Sequence, residues 1–274
     1  MKQSKLTSFF LSIPYLIWLI IFTIIPMGLI VFFAITDKYG SFTLENLNKA
    51  GQYAPVLMQS IILSIVATIM CILIAYPLSF IMSRQTANKK RTLMILVMLP
   101  MWMNFILRTY AWMTILENNG IINRLLGLIG IGPLSLINTQ GAVVLGMIYN
   151  YIPFMIIPIY TVMMKINPAT LEAAQDLGAG TWHIFSKVLL PLSMPGVRTG
   201  ITLVFVPAVS TFIISQMLGG GSQLLIGDII ELQFLGNAYN PNLGAAISLV
   251  LMVLVLICMS ILNTFDDEDM EGMI

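Results

Sequence analysis

The sequence predicts an all-α integral membrane protein with six transmembrane helices. Three observations carry this. Hydrophobic residues make up 58% of the 274 and charged residues 9%, against about 25% charged in an ordinary soluble domain. Mean hydropathy is +0.93. Several apolar runs exceed the ~18 residues that mark a spanning helix.

The runs fall at about 9–35, 57–82, 93–113, 141–164, 199–218 and 243–264. Lys2 and Lys5 precede the first, which is about twice the length of a cleavable signal core and lacks a small-residue cleavage site. It reads as an uncleaved span. Pro26, Pro77, Pro153 and Pro158 interrupt the first, second and fourth runs, which a membrane tolerates where neighbouring helices or a cavity satisfy the freed backbone groups. Kinked helices around a pathway and kinks in an ordinary bundle both fit. Arg108 lies inside the third run, where a charge costs about 3 kcal/mol at mid-bilayer, so it should face protein or water, or snorkel to the interface. Pro207, Ser210, Thr211 and Gln216 dilute the fifth run, and the acidic residues Asp266–Asp269 follow the sixth as a solvated end. Cys71 and Cys258 both fall inside predicted helices and read as small packing residues. The expected organisation is a first helix and loop (1–57), a core of the remaining spans (58–264) and an acidic tail (265–274).

Nine of the 13 lysines and arginines fall on one side of a six-span arrangement: Lys2, Lys5, Arg84, Lys89, Lys90, Arg91, Lys165, Lys187 and Arg198. Lys38, Lys49, Arg108 and Arg124 fall on the other side or within the membrane. The basic side is the cytoplasmic one, so both termini and the connection around 165–198 are expected there.

That connection contains the most informative segment, residues 172–191, EAAQDLGAGTWHIFSKVLLP. Asn167 can cap a helix that Pro168 opens, Ala169, Ala173 and Leu177 recur at helical spacing, and Glu172, Gln175 and Asp176 take the other side. Gly178 can supply the left-handed turn that ends it. A second short helix is expected from Thr181, presenting Trp182, Phe185 and Leu189 and stopping at Pro191. Two short helices joined at a glycine form a knob suited to a partner's groove. An amphipathic connector lying on the bilayer surface is the plainer alternative.

Other signatures are missing. No Gly-Lys-Ser/Thr occurs, so a phosphate-cradling loop of the Walker type is not expected, nor ATP hydrolysis by this chain alone. His183 is the single histidine and reads as a polar surface residue, and no Cys/His/Asp cluster has metal-ligand spacing. Gly219-Gly220-Gly221 reads as a hinge, a tight re-entrant turn or an exposed turn. Glu117, Asp228 and Glu231 lie near the predicted outer side among Tyr110, Trp112, Tyr149, Tyr151 and Phe234. Carboxylates among aromatic faces suit an organic cation, although the same rings would make an interfacial belt.

Glu172-Ala173-Ala174, Gly178 and Val188-x-Leu190-Pro191 resemble the EAA loop of ABC-importer permeases, with Val188 where the consensus usually has Ile. Leu99 to Asn104 through Arg108-Thr109-Tyr110, Pro191 to Gly196 and Leu218 to Asp228 are similar to PotB-type permeases of bacterial spermidine/putrescine importers. The similarity runs over nearly the whole chain. It implies a type I ABC importer permease fold with a cytoplasmic coupling helix, in the bacterial inner membrane. It implies as partners a second related permease, two copies of a cytoplasmic ATPase that binds ATP and magnesium, and an extracytoplasmic polyamine-binding protein. It implies no cofactor in this chain, no catalysis by it and no nucleic-acid partner. Carried over, Glu172, Ala173, Ala174, Asp176, Gly178, Leu190 and Pro191 couple to the ATPase. Trp102, Arg108, Tyr110, Glu117, Tyr149, Gln216, Asp228 and Glu231 would line the substrate pathway. That family commonly has an acid where this chain has Gln216. A permease for an amino acid, thiamine or a ferric complex shares the EAA loop, while a secondary transporter would have no use for it. A membrane-embedded enzyme would need paired carboxylates, a nucleophile with its base, or metal ligands within the spans, and the sequence offers none.

Overall fold

The computed structural model describes residues 13–271, with side chains as far as 261. Lys2, Lys5, positions 9–12 of the first predicted span and the side chains of Asp266–Asp269 lie outside the described residues.

The helices are α1 (Ile13–Ala34), α2 (Glu45–Ala50), α3 (Ala54–Ser83), α4 (Ala87–Trp102), α5 (Phe105–Leu116) and α6 (Ile121–Leu128). They continue with α7 (Gln140–Met163), α8 (Pro168–Asp176), α9 (Thr181–Val209), α10 (Ile213–Gly219), α11 (Ile226–Leu235) and α12 (Pro241–Glu271). Among the described residues five helices are long and apolar enough to cross a membrane, and the count is six where a bent pair is taken as one span.

That pair corrects the predicted third span at 93–113. The chain turns by 91° between Ala87–Trp102 and Phe105–Leu128. Pro100 lacks a donor, and Asn104 leaves helical geometry at ψ 129°. Its Oδ1 accepts from the N–H groups of Ile106 (2.9 Å) and Leu107 (3.2 Å), capping α5.

The fifth span is corrected too. The second short helix does not stop at Pro191 but runs on as α9, 29 residues long. A π-helical turn at Phe185–Leu189 precedes Pro191 and loosens the backbone where the proline ring would crowd a regular turn. The helix then ends at Val209, and α10 forms separately. At the break, the Ser210 hydroxyl donates to the Val206 carbonyl at 3.1 Å, competing with the helix ladder. Gly227 packs there so closely that a Cβ would sit 2.5 Å from the Thr211 carbonyl oxygen.

The chain forms two compact units. One comprises residues up to Pro55 with Ile229–Leu256, and the other Val56–Asp228 with the segment from Ile257 onward. The larger unit has a core built from small and flexible side chains. Ala67, Cys71 and Ala75 of α3 and Met147, Met155 and Ile159 of α7 are all fully or nearly fully buried there. Val197, Val204 and Ala208 of α9 complete it, with Ile214 and Leu218 of α10. Cys71 and Cys258 are free thiols.

Helix α9 lies against α7 through Gly196 and Gly200. A Cβ at Gly196 would meet the Pro158 carbonyl oxygen at 2.8 Å and the Ile159 Cα at 3.0 Å; at Gly200 it would meet Met155 Sδ at 2.5 Å. Such small-residue seams let membrane helices gain dispersion contact where lipid removes the hydrophobic drive. Polar contacts reinforce the core. The Tyr76 and Ser193 hydroxyls share a hydrogen bond at 2.8 Å, and Ser79 Oγ donates to the Ile156 carbonyl at 3.2 Å.

In the smaller unit, α1 is apolar all round and buries Ala34 alone among its residues. A turn follows in which Asp37 Oδ1 accepts from the N–H groups of Tyr39 (2.8 Å) and Ser41 (2.9 Å), with Gly40 at φ +82°. The Thr36 carbonyl accepts from the side-chain amides of Asn46 (2.8 Å) and Asn242 (2.7 Å), and the Asn242 amide also donates to the Phe33 carbonyl at 3.1 Å.

Candidate functional site

The segment 167–191 folds as its local chemistry dictates. Asn167 accepts from the Ala169 N–H at 3.1 Å, and Pro168 opens α8. At the other end Gly178, at φ +81°, reverses the chain. The Ala179 N–H donates to the Ala174 carbonyl at 3.0 Å and the Gly178 N–H to the Gln175 carbonyl at 2.8 Å. This is the paired bonding of a Schellman cap, which satisfies carbonyls the helix end would otherwise leave orphaned. Helix α8 is therefore a closed unit that holds its shape while no residue of it is buried.

Glu172, Ala173 and Asp176 face solvent, as do Leu177 (88% exposed) and Trp182 (77%). Leu171 and Gln175 turn the other way, over a cleft of about 520 Å³ walled by Tyr76, Pro77, Phe80, Phe185 and Leu189. The Trp182 ring stacks on Phe185 at 5.4 Å, and Phe185 meets Tyr76 edge-on at 5.6 Å. Aromatic contact thus links the exposed hairpin to α3. Leu190 and Pro191 belong to the continuing helix α9, Leu190 half-buried and Pro191 exposed. His183 is exposed.

The polar residues at the other candidate positions divide. Glu117 and Gln216 come together in a pocket of about 490 Å³ with Asn118, Asn119 and Asn138, Met113 and Met217. Asn138 carried no sequence signal, yet it is the described non-glycine residue at positive φ (+61°), and its N–H donates to the Leu218 carbonyl at 2.9 Å. Gly220, at φ +59°, closes the wall so tightly that a Cβ would collide with the Asn138 side chain. The glycine run is thus a left-handed turn ending α10.

Arg108 is 7% exposed, its Nε and Nη1 atoms have no hydrogen-bond partner, and its guanidinium lies 5.8 Å from the Phe105 ring. Tyr149 stacks edge-on against Trp112 at 5.4 Å, whereas Trp102 (75%) and Tyr110 (54%) are exposed. Glu231 is half-buried on α11. Asp228 is buried, and its Oδ2 accepts from the Leu225 N–H at 2.7 Å; Ser60 Oγ accepts from the Ile226 N–H at 2.8 Å. Together they cap the start of α11. Asp228→Ala is expected to destabilise this end by about 2 kcal/mol, as loss of a charge-assisted bond does, with Asp228→Asn milder because an amide oxygen still accepts. Thermal unfolding of the detergent-solubilised chain checks the order.

The chain belongs to the binding-protein-dependent transport system inner membrane component family, which it matches over residues 4–268. It is 39% identical over 248 residues to the spermidine/putrescine transport system permease protein PotB of Haemophilus influenzae, covering 87% of this chain and 86% of that one. The protein of the same name from Escherichia coli K12 is 32% identical over 248 residues, covering 87% and 90%. The E. coli inner membrane ABC transporter permease protein YdcU is 30% identical over 73% of this chain and 68% of its own length. A bacterial ABC transporter that imports the acidic polysaccharide alginate has a chain of the same fold, with a TM-score of 0.77 at 18% identity over 96% of this chain and 95% of its own. A bacterial alginate ABC transporter in complex with an alginate pentasaccharide-bound periplasmic protein gives a TM-score of 0.80 at 18% identity over 94% of this chain and 93% of that one. The chain accordingly has the fold of ABC importer permeases and is an inner-membrane transport component.

Proposed function

We propose that this chain is one of two related permeases forming the translocation pathway of an ATP-driven polyamine importer. The observation that carries the reading is the exposed, doubly capped helix α8, joined through Gly178 to the continuous helix α9. A rigid solvent-facing helix is a handle for another protein. Two copies of a cytoplasmic ATPase, which bind ATP and magnesium, hold these handles, one on each permease. An extracytoplasmic binding protein delivers substrate to the opposite face. The lysine and arginine bias supports a cytoplasmic hairpin and cytoplasmic termini.

In operation, nucleotide binding closes the ATPases and shifts the grooves that hold α8. Movement passes from α8 through the Gly178 turn into α9, and through the Phe185–Tyr76 contact into α3. The seam between α7 and α9 then moves as a unit, and the pathway changes from inward-open to outward-open. Polyamine as substrate rests on the relatives that carry spermidine/putrescine in their names and on the carboxylate and aromatic residues along the candidate pathway.

The test is reconstitution of the chain with its co-purifying partners in vesicles, followed by uptake from a panel of polyamines and amino acids. Uptake of putrescine or spermidine that requires ATP is the expected result. Amino-acid uptake without polyamine uptake overturns the substrate, and uptake that survives ATP depletion under a proton gradient overturns the class.

A further inference from the structure

The pocket containing Glu117 has a composition that bears on substrate recognition. Its walls come from the end of α5 (Met113, Glu117), the loop before α7 (Asn138) and helix α10 (Gln216, Met217). Glu117 is the one carboxylate among the lining residues, none of which is basic. Among the described residues no lysine or arginine pairs with it. Arg124, on the neighbouring helix, directs its Nε to the Asn119 carbonyl at 3.0 Å. Helix α5 ends at Leu116 and α10 at Gly219, and Glu117 and Gly220, just beyond those ends, border the pocket. Side-chain amides of Gln216 and Asn138 add acceptor oxygens, and the methionines supply an apolar lining. At about 490 Å³ the pocket has the size of a small-molecule site.

We propose that this pocket is a subsite for one ammonium end of an aliphatic amine. An ammonium has three N–H donors and one positive charge. Glu117 neutralises the charge, the amide oxygens of Gln216 and Asn138 accept the remaining donors, and Met113 and Met217 cover the first methylenes. A neutral solute gains nothing from the charge of the carboxylate. The single acid within the pocket sets its capacity at one ammonium, so a longer polyamine places its other amines elsewhere along the path. Gly220 serves the geometry by leaving room for the Asn138 side chain.

This inference rests on the reading of the chain as a polyamine permease, and its test separates the two. The intact importer, with all partners, is reconstituted and ATP-driven uptake of putrescine and spermidine is measured for the wild type, Glu117→Gln and the double variant Glu117→Gln/Gln216→Glu. The expected result is a KM raised about tenfold in Glu117→Gln, the factor that an interaction of about 1.4 kcal/mol represents, with Vmax within about twofold. Moving the carboxylate across the pocket in the double variant is expected to recover most of the KM. An unchanged KM in Glu117→Gln, with the wild type importing polyamine, overturns the subsite and leaves the function standing. A raised KM that the double variant does not recover also overturns the pocket as a shared site. A wild-type importer that takes up no polyamine overturns the function itself.

Discussion

A chain carrying Gly196→Leu is expected to lose the packing of α9 on α7. The hydrogen of Gly196 faces main chain, with the Pro158 carbonyl oxygen 2.8 Å and the Ile159 Cα 3.0 Å from where a Cβ would stand. Main chain within a helix cannot swing aside as a side chain can, so the two helices must separate along the seam. Overpacking of this kind costs about 3 kcal/mol or more, and at about 2–4 °C per kcal/mol the unfolding temperature in detergent should fall by about 10 °C. Gly200→Ala is expected to be milder, because the nearest obstacle is the thioether sulfur of Met155 at 2.5 Å, far out on a flexible side chain. Gly28→Leu is the control, with nothing within 4 Å of its Cβ position. A Gly196→Leu protein that unfolds at the wild-type temperature would show that the seam is not closed there.

Gly178 is expected to give the second large effect, this time on coupling rather than on folding. A Cβ at Gly178 meets nothing within 4 Å, so bulk is not the obstacle; the obstacle is φ at +81°. An L side chain in that region costs about 1–2 kcal/mol whatever its size. The cap then opens and the Ala174 and Gln175 carbonyls lose their partners. Gly178→Ala and Gly178→Leu should therefore lower ATP-dependent uptake alike, by about tenfold, with the chain still inserted. Gly178→Asn should fall between them and the wild type, since asparagine tolerates left-handed geometry. Glu172→Gln should stay within about fivefold, as exposed ion pairs contribute little. Wild-type uptake by Gly178→Leu removes the lever mechanism, and a leucine variant far worse than the alanine variant would make bulk the cause.

The contrast between these glycines shows what the sequence discloses. Helix α8 was legible because its determinants are local: Asn167, Pro168 and Gly178 each act within a few residues of where they stand. Most spans were legible because lipid imposes one long apolar run per crossing. The third span misled because averaging hydropathy over 93–113 hides a single capping residue, Asn104, that redirects the chain. Pro191 misled in the opposite sense, since a π-helical turn absorbs a proline that local rules read as a stop. The pocket around Glu117 was only half visible. Glu117 and Gln216 carried polar signals, but Asn138 reaches them through a loop whose course depends on tertiary contacts. Asp228 illustrates a further ambiguity: an acid beside an apolar run reads equally as a ligand for solute or as a partner for nearby N–H groups.

The apolar rod α1 has a consequence of its own. Its 22 residues extend about 33 Å, one hydrocarbon thickness, and it is moored to the rest of its unit at the Thr36 turn, where the Asn46 and Asn242 amides converge. Past that mooring it shows Trp18, Phe22 and Phe32 to its surroundings, and hydrocarbon solvates such faces as readily as protein does. Steric fit to neighbouring lipids or a sister subunit, rather than greasiness, thus decides which way this mast leans.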